Sequence, residues 1–212
     1  MYWHERKELG PKEYKGPPPN MPPRSSHSDL AVKYLQSRGL DPEVAGVNGW
    51  YPTVTDVPRL VIPCVNSTGR VYYQARALDS TTALRYDSPF EPRGDSIIVV
   101  HPMGFKKQRA VIVEGPMDAL AAAEYGYLGI AVMGNNPAQE AIDLIVKKFA
   151  ITHAPFWIVP DMDDPTFGAK MLASFASRRV AAKVALLTGG KDICELSGMA
   201  RKKFFDKLGK GK

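Results

Sequence analysis

The second half of the chain alternates short apolar runs with amphipathic stretches. Four apolar runs have the length of buried strands, and the stretches between them carry apolar residues at helical spacing, as Ile142, Ile145 and Phe149 do. Strands that are apolar on both faces and alternate with helices are typical of a parallel sheet covered by helices on both sides. The pattern therefore predicts an α/β fold. The predicted order is strand 110–115, helix 117–126, strand 129–134, helix 137–149, strand 154–163, helix 168–179 and strand 183–188.

The first half has a less regular pattern. Six prolines in residues 1–27 exclude a helix interior or a sheet ladder, so this segment is predicted to be a linker or flexible arm. A helix is predicted from the candidate N-cap Ser28 to a stop at Gly39. Together with the strands that follow, it predicts a small mixed α/β subdomain. Those strands are predicted at 59–65, 70–78 and 96–100, with the hairpin signal "NSTG" between the first two.

These patterns divide the chain into four segments. Residues 201–212 carry six basic side chains against the single acid Asp206, which fits either a frayed, solvated helix end or a contact with a phosphate backbone. The segments are a proline-rich arm (1–27), a mixed α/β subdomain (28–107), a sheet domain (108–196) and a basic C-terminal helix or tail (197–212).

Acidic residues follow three of the four strands predicted in the sheet domain. Glu114 follows the first strand, Asp161 and Asp163 follow the third, and Asp192 follows the fourth. The carboxyl ends of parallel strands share one rim, where such sheets bind ligands. Carboxylates gathered there raise one another's pKa unless cations neutralise them, and hard divalent ions prefer oxygen ligands. An isolated DxD is commonly a turn or a helix cap, but three acidic elements in this order predict a metal site.

The composition favours a soluble intracellular protein with a polyanionic partner. The formal net charge is +6, and no apolar run approaches the roughly 18 residues of a membrane helix. The N-terminal residues are charged and proline-rich, unlike a signal peptide. Cys64 and Cys194 are the only cysteines and lie far apart, which argues against a disulfide scaffold and against a cysteine zinc site.

Several stretches resemble a known family. In order and spacing, "VIVEGPMDALAAAEYG", "GIAVMGN", "FWIVPDMDD" and "GGKDICEL" resemble the TOPRIM domain of primases, topoisomerases of types IA and II, OLD-type nucleases and recombination-mediator proteins. Further stretches are similar to the RNA polymerase core of DnaG-type primases, which extends the resemblance over about residues 30 to 196. They are "YLQSRGLDPEVA", "RLVIPCVNSTGRVYYQARAL" and "LRYDSPFEPRG".

The resemblance implies roles for individual residues. Glu114 matches the TOPRIM glutamate and, with the DxD pair Asp161 and Asp163, is implied to be catalytic. Asp118, the acid of "EGxxD", and Asp192, in the last acidic motif, join these three as implied ligands of Mg²⁺ or Mn²⁺, with two ions expected and no zinc. Candidate contacts to nucleotide or nucleic acid are Arg76, Arg85, Arg70, Arg93 and Lys191, although Arg70 and Arg93 are equally consistent with ordinary surface arginines.

Three features depart from the family pattern. Many bacterial primases have DPD where this chain has Asp192, Ile193 and Cys194 followed by Glu195, a "KDxxE" pattern closer to the helicase-primases of some phages. The glycine that usually follows DxD closely is delayed to Gly168. The zinc domain that selects the template and the part that engages or contains a helicase in a full primase do not fit within this chain.

The implied activity is DNA-dependent RNA primer synthesis by metal-dependent nucleotidyl transfer. The expected partners are single-stranded DNA, ribonucleoside triphosphates and a replicative helicase or separate template-recognition protein. No membrane partner is expected, and the expected location is the cytoplasm, or the host cytoplasm if a phage encodes the chain. The alternatives are a TOPRIM nuclease that uses the same acids and a noncatalytic nucleic-acid-binding adaptor of the replisome. Retention of the acids speaks against the adaptor.

Overall fold

The structure is a computed structural model in which two sheets share one hydrophobic core. It describes residues 21–26, 28–54, 57–79, 81–104, 109–164 and 166–210. The first part contains helices α1 (Ser28–Ser37) and α2 (Pro42–Val47) and strands β1 (Tyr51–Val54), β2 (Pro58–Pro63), β3 (Tyr73–Ala77) and β4 (Tyr86–Asp87). The second part contains β5 (Ile98–Val100), β6 (Ala110–Val113), α3 (Pro116–Glu124), β7 (Leu128–Ala131), α4 (Gln139–His153), β8 (Phe156–Ile158), α5 (Thr166–Ser177), β9 (Ala182–Val184), a 3₁₀ helix (Ile193–Glu195) and α6 (Gly198–Lys210).

Strands β1 to β4 form an antiparallel sheet in chain order. The predicted hairpin is present, since β2 pairs antiparallel with β3, but its connection is longer than "NSTG". The side chain of Asn66 closes that connection by accepting a hydrogen bond from the Arg70 amide (3.0 Å) and donating one to the Arg70 carbonyl (2.7 Å).

The second sheet confirms the predicted parallel arrangement. Its order is β5-β7-β6-β8-β9, and β6 to β9 are parallel to one another. Strand β5, which the sequence pattern groups with the first half, instead pairs antiparallel with β7 at the edge of this sheet. The reason is apolar burial, because Ile98 and Val100 are fully buried there.

Helix α3 lies unusually close to the sheet. It begins with Pro116, at a position where the backbone amide would have no partner within the helix. Four of its nine residues are alanines, whose small side chains allow close packing. Where α3 crosses β7, a Cβ atom on Gly129 would lie 2.0 Å from the carbonyl oxygen of Ala119. The close approach of α3 therefore requires glycine at position 129.

One face of the second sheet packs against the first part of the chain. The core on that face joins Leu35, Leu40 and Trp50 to residues of β6 and α3 such as Val113 and Leu120. A second core, on the opposite face, lies under α4 and α5. The helices of the first part therefore cover one side of the sheet.

Helix α6 occupies the segment predicted to be a basic helix or tail. It is not a frayed and solvated end over its described length, because Arg201, Phe205 and Leu208 are buried. Two hydrogen bonds hold it to the sheet, from Tyr127 Oη to the Phe205 carbonyl (3.0 Å) and from Arg109 Nη1 to the Leu208 carbonyl (3.3 Å).

The described end of the proline-rich arm contacts β1. The Ser25 amide donates to the Pro52 carbonyl (2.9 Å), and Tyr51 Oη donates to the Pro22 carbonyl (2.7 Å). Residues 1–20 and 27 of the predicted arm lie outside the described residues. None of the helices described is both long and apolar enough to cross a membrane.

Candidate metal and nucleotide site

The strand order gathers the acidic residues at one rim. Strands β6, β8 and β9 are neighbours in the sheet, and their carboxyl ends lie at the same edge. Glu114 follows β6 directly, Asp161 and Asp163 lie in the loop after β8, and Asp192 lies in the loop after β9. Asp118 comes from the first turn of α3, which starts at the same rim. The structure thus brings all five predicted acids to one edge of the sheet.

Glu114 and Asp161 are in contact. The Asp161 amide donates a hydrogen bond to Glu114 Oε1 (3.4 Å), and both residues are half-buried. Burial and the neighbouring Asp161 carboxylate raise the pKa of Glu114 to about 7. Burial, together with Asp192 and Asp163, raises the pKa of Asp161 to about 6. Asp163 itself is exposed beside them.

Asp118 and Asp192 form the inner part of the site. Asp118 is 6% exposed, and its Oδ1 accepts a hydrogen bond from the Cys194 amide (3.1 Å). Ligand atoms of Asp118, Asp192 and Cys194 lie within 4.8 Å of one another. Burial, followed by the charges of Asp192 and Asp161, raises the pKa of Asp118 to about 7. The inner and outer carboxylates are therefore electrostatically coupled.

A backbone hydrogen bond joins the two acidic loops, and a side-chain cap orders one of them. The Met162 amide, between Asp161 and Asp163, donates to the Lys191 carbonyl (2.7 Å). Asp192 caps the 3₁₀ helix by accepting from the Glu195 amide (2.8 Å). The relative positions of the loop after β8 and the loop after β9 are thereby defined.

The delayed glycine of the DxD loop has a structural explanation. Helix α5 begins at Thr166, so Gly168 lies in its first turn rather than in the loop. A Cβ atom there would lie 3.2 Å from Val184 Cγ1 and 3.3 Å from Pro160 Cγ. Asp164, the third acid of "DMDD", accepts hydrogen bonds from the amide and hydroxyl of Thr166, so it caps α5.

The donor set fits a hard divalent cation. Several carboxylates with raised pKa values share a partly buried site, an arrangement that a bound cation would stabilise. Carboxylate oxygens are the ligands that Mg²⁺ and Mn²⁺ prefer. Burial raises the pKa of the Cys194 thiol well above its usual value, so this sulfur stays protonated and is a poor ligand.

Two arginines of the first part of the chain lie against the ring of Tyr34 in α1, and one of them, Arg38, lies near Asp192 of the acidic cluster. Arg76 of β3 is 9% exposed, and its guanidinium lies over the rings of Tyr86 (4.8 Å) and Tyr34 (5.8 Å). Arg38, at the end of α1, was not predicted from the sequence. Burial opposes its charge, but Tyr34, Cys194 and Asp192 nearby raise its pKa overall. The only sequence signal for Arg38 is its place in "SRGL" within a primase-like stretch.

The other basic residues predicted to contact nucleotide or nucleic acid differ in whether their charged groups are exposed or bonded to the protein. Arg70 donates hydrogen bonds to the carbonyls of Pro92 (2.7 Å) and Arg93 (3.2 Å), so its guanidinium stabilises the loop before β5. Arg93 donates to the carbonyls of Val132, Met133 and Asn136 after β7. Arg85 and Lys191 are exposed, and Lys191 lies in the acidic loop itself.

Comparison with known proteins agrees with this architecture. Residues 111–197 match the Toprim-like family, whereas no curated protein sequence matches the chain significantly. Among solved structures, the chain is similar to the primase fragment of the bacteriophage T7 primase-helicase protein, with a TM-score of 0.62 and 17% identity. That similarity covers 98% of this chain and 85% of the T7 fragment. Residues 111–197 are therefore similar to the Toprim-like family, and the chain shares its fold with this primase fragment.

Proposed function

We propose that the chain is the catalytic core of a DNA-dependent RNA primase, which makes short RNA primers on single-stranded DNA from ribonucleoside triphosphates. The observation that carries the proposal is the convergence of the five acids, Glu114, Asp118, Asp161, Asp163 and Asp192, on one rim of the sheet. The Toprim-like match and the shared fold with a primase fragment support it.

The acidic cluster would hold Mg²⁺ or Mn²⁺. When bound, two such ions activate the attacking 3′ hydroxyl and stabilise charge on the transferred phosphate and the leaving group. Asp161 and Asp163 lie together at the open side of the cluster and would hold the ion that accompanies the triphosphate. Asp118 and Asp192 supply the buried side of the donor set.

Glu114 is the group best placed to accept a proton. Glu114 is half-buried directly after β6, next to Asp161, and bound cations would keep its carboxylate ionised and able to accept a proton. Its position is fixed by the strand, because its carbonyl accepts a hydrogen bond from the Gly134 amide (3.1 Å). Glu114 would therefore either take the proton of the attacking hydroxyl or share in holding the second ion.

Basic residues around the site would bind phosphate groups. Guanidinium groups pair with phosphate oxygens through two parallel hydrogen bonds. Arg38 lies near Asp192, Arg76 lies with Arg38 against the ring of Tyr34, and Arg85 and Lys191 offer exposed charges for the triphosphate or the template strand.

A replicative helicase is the protein partner that we propose. The solved structure that this chain resembles is a fragment of a primase-helicase protein. A helicase would raise the effective concentration of template at the acidic site. Primer yield on single-stranded DNA is then expected to rise when the cognate helicase is added to the purified chain.

The proposal is tested by one incubation with three distinguishable results. The purified chain is mixed with single-stranded DNA, labelled ribonucleotides and Mg²⁺ or Mn²⁺, and the products are separated by size. We expect short labelled RNA that disappears in Asp161→Ala. Cleavage of the DNA without RNA synthesis would identify a nuclease, and binding of DNA without either product would identify a noncatalytic adaptor.

A further inference from the structure

Arg201 joins helix α6 to two segments of the site. It is 3% exposed, and its guanidinium donates hydrogen bonds to five backbone carbonyl oxygens. The acceptors are Gly39 (2.8 Å) and Arg38 (3.3 Å) in the turn after α1, and Cys194 (3.0 Å), Ile193 (3.2 Å) and Leu196 (3.4 Å) in the loop after Asp192.

Both tethered segments carry groups that the proposed site uses. The side chain of Arg38 lies close enough to Asp192 for the charge of that carboxylate to help raise its pKa. Asp192 immediately precedes the three carbonyls of its loop that Arg201 holds. The backbone segments that carry Arg38 and Asp192 are thus both hydrogen-bonded to one buried guanidinium.

The turn after α1 is also fastened from α3. The Asp41 amide donates to Glu124 Oε1 (2.6 Å), and Glu124 lies at the end of the helix that begins next to Asp118. Burial raises the pKa of Glu124, while the Asp41 amide and the charge of Arg201 act against that rise. The turn is therefore held on two sides, by α3 and by α6.

We propose that Arg201 is a positioning residue that fixes Arg38 and Asp192 relative to each other. The inference rests on the proposed phosphate-binding and metal-binding roles of those two residues, but not on primer synthesis itself. The planar guanidinium presents five donors in a rigid fork, whereas lysine presents three donors on one nitrogen. Lysine at position 201 therefore cannot hold both segments in the same geometry.

The test measures ligand binding rather than turnover. Mn²⁺ binding is followed by electron paramagnetic resonance, and MgATP binding by calorimetry, in the wild type and in Arg201→Lys. Loss of an outer partner of a metal ligand typically lowers metal affinity by about tenfold or more, and we expect at least about that loss for Mn²⁺. The MgATP affinity should also fall, and should fall less when Arg38→Ala is already present, because the loss acts through Arg38.

Leu208→Ala is the matched control. Leu208 is buried on the same helix, but it lies at the far end of α6, near Arg109. This variant loosens α6 without touching the carbonyls that Arg201 holds, so Mn²⁺ and MgATP affinities should stay within about twofold of the wild type. If Arg201→Lys loses only thermal stability and keeps both affinities, Arg201 is merely structural and the inference is wrong.

A second variant covers the case in which Arg201→Lys does not fold. Gly39 has a φ of +64°, so Gly39→Ala strains the turn and displaces a carbonyl that Arg201 holds. It should weaken MgATP binding and leave Mn²⁺ binding nearly unchanged, and unchanged MgATP binding would overturn the inference. If the wild type binds no Mn²⁺, the proposed function is wrong as well. If the wild type binds Mn²⁺ and only the variants behave unexpectedly, the Arg201 inference alone is wrong.

Discussion

At the scale of single residues, neighbouring carboxylates of the rim differ sharply in environment. Asp118 is buried and accepts a backbone hydrogen bond, whereas Asp163 is exposed. Hydrogen bonds from Thr166 and Asn135 lower the pKa of Asp164, one residue further along. Asp164 is thus satisfied by protein donors, while Asp161 and Asp163 keep oxygens free of such side-chain donors in the described structure. The latter pair is the one expected to hold ions.

Replacing Asp161 or Asp163 by alanine should abolish RNA synthesis and spare the fold. Each substitution removes one of several carboxylates that repel one another, so the melting temperature of the metal-free protein should stay the same or rise slightly. Primer assays at saturating Mn²⁺ and thermal melts measure the two effects. Met162→Ala, between the two acids and at an exposed position, should keep its activity. Wild-type synthesis by either acidic variant would show that the metal assignment is wrong.

The stability of the metal-free protein should fall as pH rises. The pKa values of Glu114 and Asp118 are about 7 and that of Asp161 is about 6, against about 4 in an unfolded chain. Between about pH 4 and about pH 7 the unfolded chain loses these protons first, so folding is progressively disfavoured and the penalty is complete above that range. Melting temperatures measured with a chelator should therefore drop from about pH 5 to about pH 8.

A variant comparison isolates these acids from other titrating groups. Burial lowers the pKa of His153, which adds stability as pH rises and so acts in the opposite direction in the same range. Glu114→Gln combined with Asp118→Asn should flatten the downward slope and reduce the rise in melting temperature caused by Mg²⁺ at about pH 8. An unaltered slope in the double variant would exclude the two acids as its source.

The acids of the site were predictable because their signal is local. Glu114, Asp161 and Asp192 each follow an apolar strand, and the parallel arrangement then places them at one rim. Arg38 and Arg201 were not predicted as parts of the site's architecture. An arginine beside a glycine or within a lysine-rich run looks solvated, and its burial depends on carbonyl groups more than a hundred residues away, as the bond from Arg201 to Gly39 shows.

At the scale of elements, the strands of the sheet were predictable and their pairing was only partly so. Apolar runs identify β6, β7 and β8, because strands buried on both faces need no alternation. Strand β9 lies at the edge of the sheet and carries the exposed Lys183, so only part of its predicted apolar run is a strand. The antiparallel pairing of β5 with β7 joins distant segments and leaves no periodic signal in either. The close approach of α3 to β7 also depends on tertiary packing and could not be predicted from local sequence, although Gly129 permits it.

Gly129→Ala should strongly destabilise the fold. The added Cβ would lie 2.0 Å from a backbone carbonyl oxygen, so α3 must move away from β7. Overpacking of a well-packed core costs about 1–3 kcal/mol, and a clash with backbone belongs at or above the upper end. Gly46→Ala is the control, because Gly46 lies in helix α2 with no atom near its Cβ position, and it should gain about 0.5–1 kcal/mol. Urea unfolding measures both, and equal effects would contradict the close packing of α3.

The exposed lysines of α6 should contribute to nucleic-acid binding without supporting the fold. Lys203, Lys207 and Lys210 are exposed and follow helical spacing, whereas deletion of the whole segment would remove buried Phe205 and Leu208. Replacing the three lysines by glutamine should reduce the salt dependence of single-stranded DNA binding by about 0.7 in slope for each lysine that contacts a phosphate. Fluorescence anisotropy over a range of salt measures this slope. An identical slope would assign these lysines to solubility.

At the scale of the whole molecule, the predicted subdomains are joined by a common core. Leu35 and Leu40 from the first part belong to the same buried cluster as Val113 and Leu120 from the Toprim-like part. Arg201 and Glu124 add hydrogen bonds between these parts near the site. Since the arginines proposed to bind phosphate come from the first part and the acids come from the second, packing between the parts sets the geometry of the site.

The chain should consequently unfold in one cooperative transition. Trp50 and Trp157 are both buried in the shared core, one from each part, so each reports on the packing between them. In Trp3→Phe/Trp50→Phe and Trp3→Phe/Trp157→Phe, urea midpoints from fluorescence should equal those from circular dichroism, as two-state unfolding requires. A fragment of residues 108–212 should not fold, because it exposes the apolar face that α1 and α2 cover. Two separated transitions, or a stable fragment, would show that the parts fold independently and that their packing does not depend on the shared core.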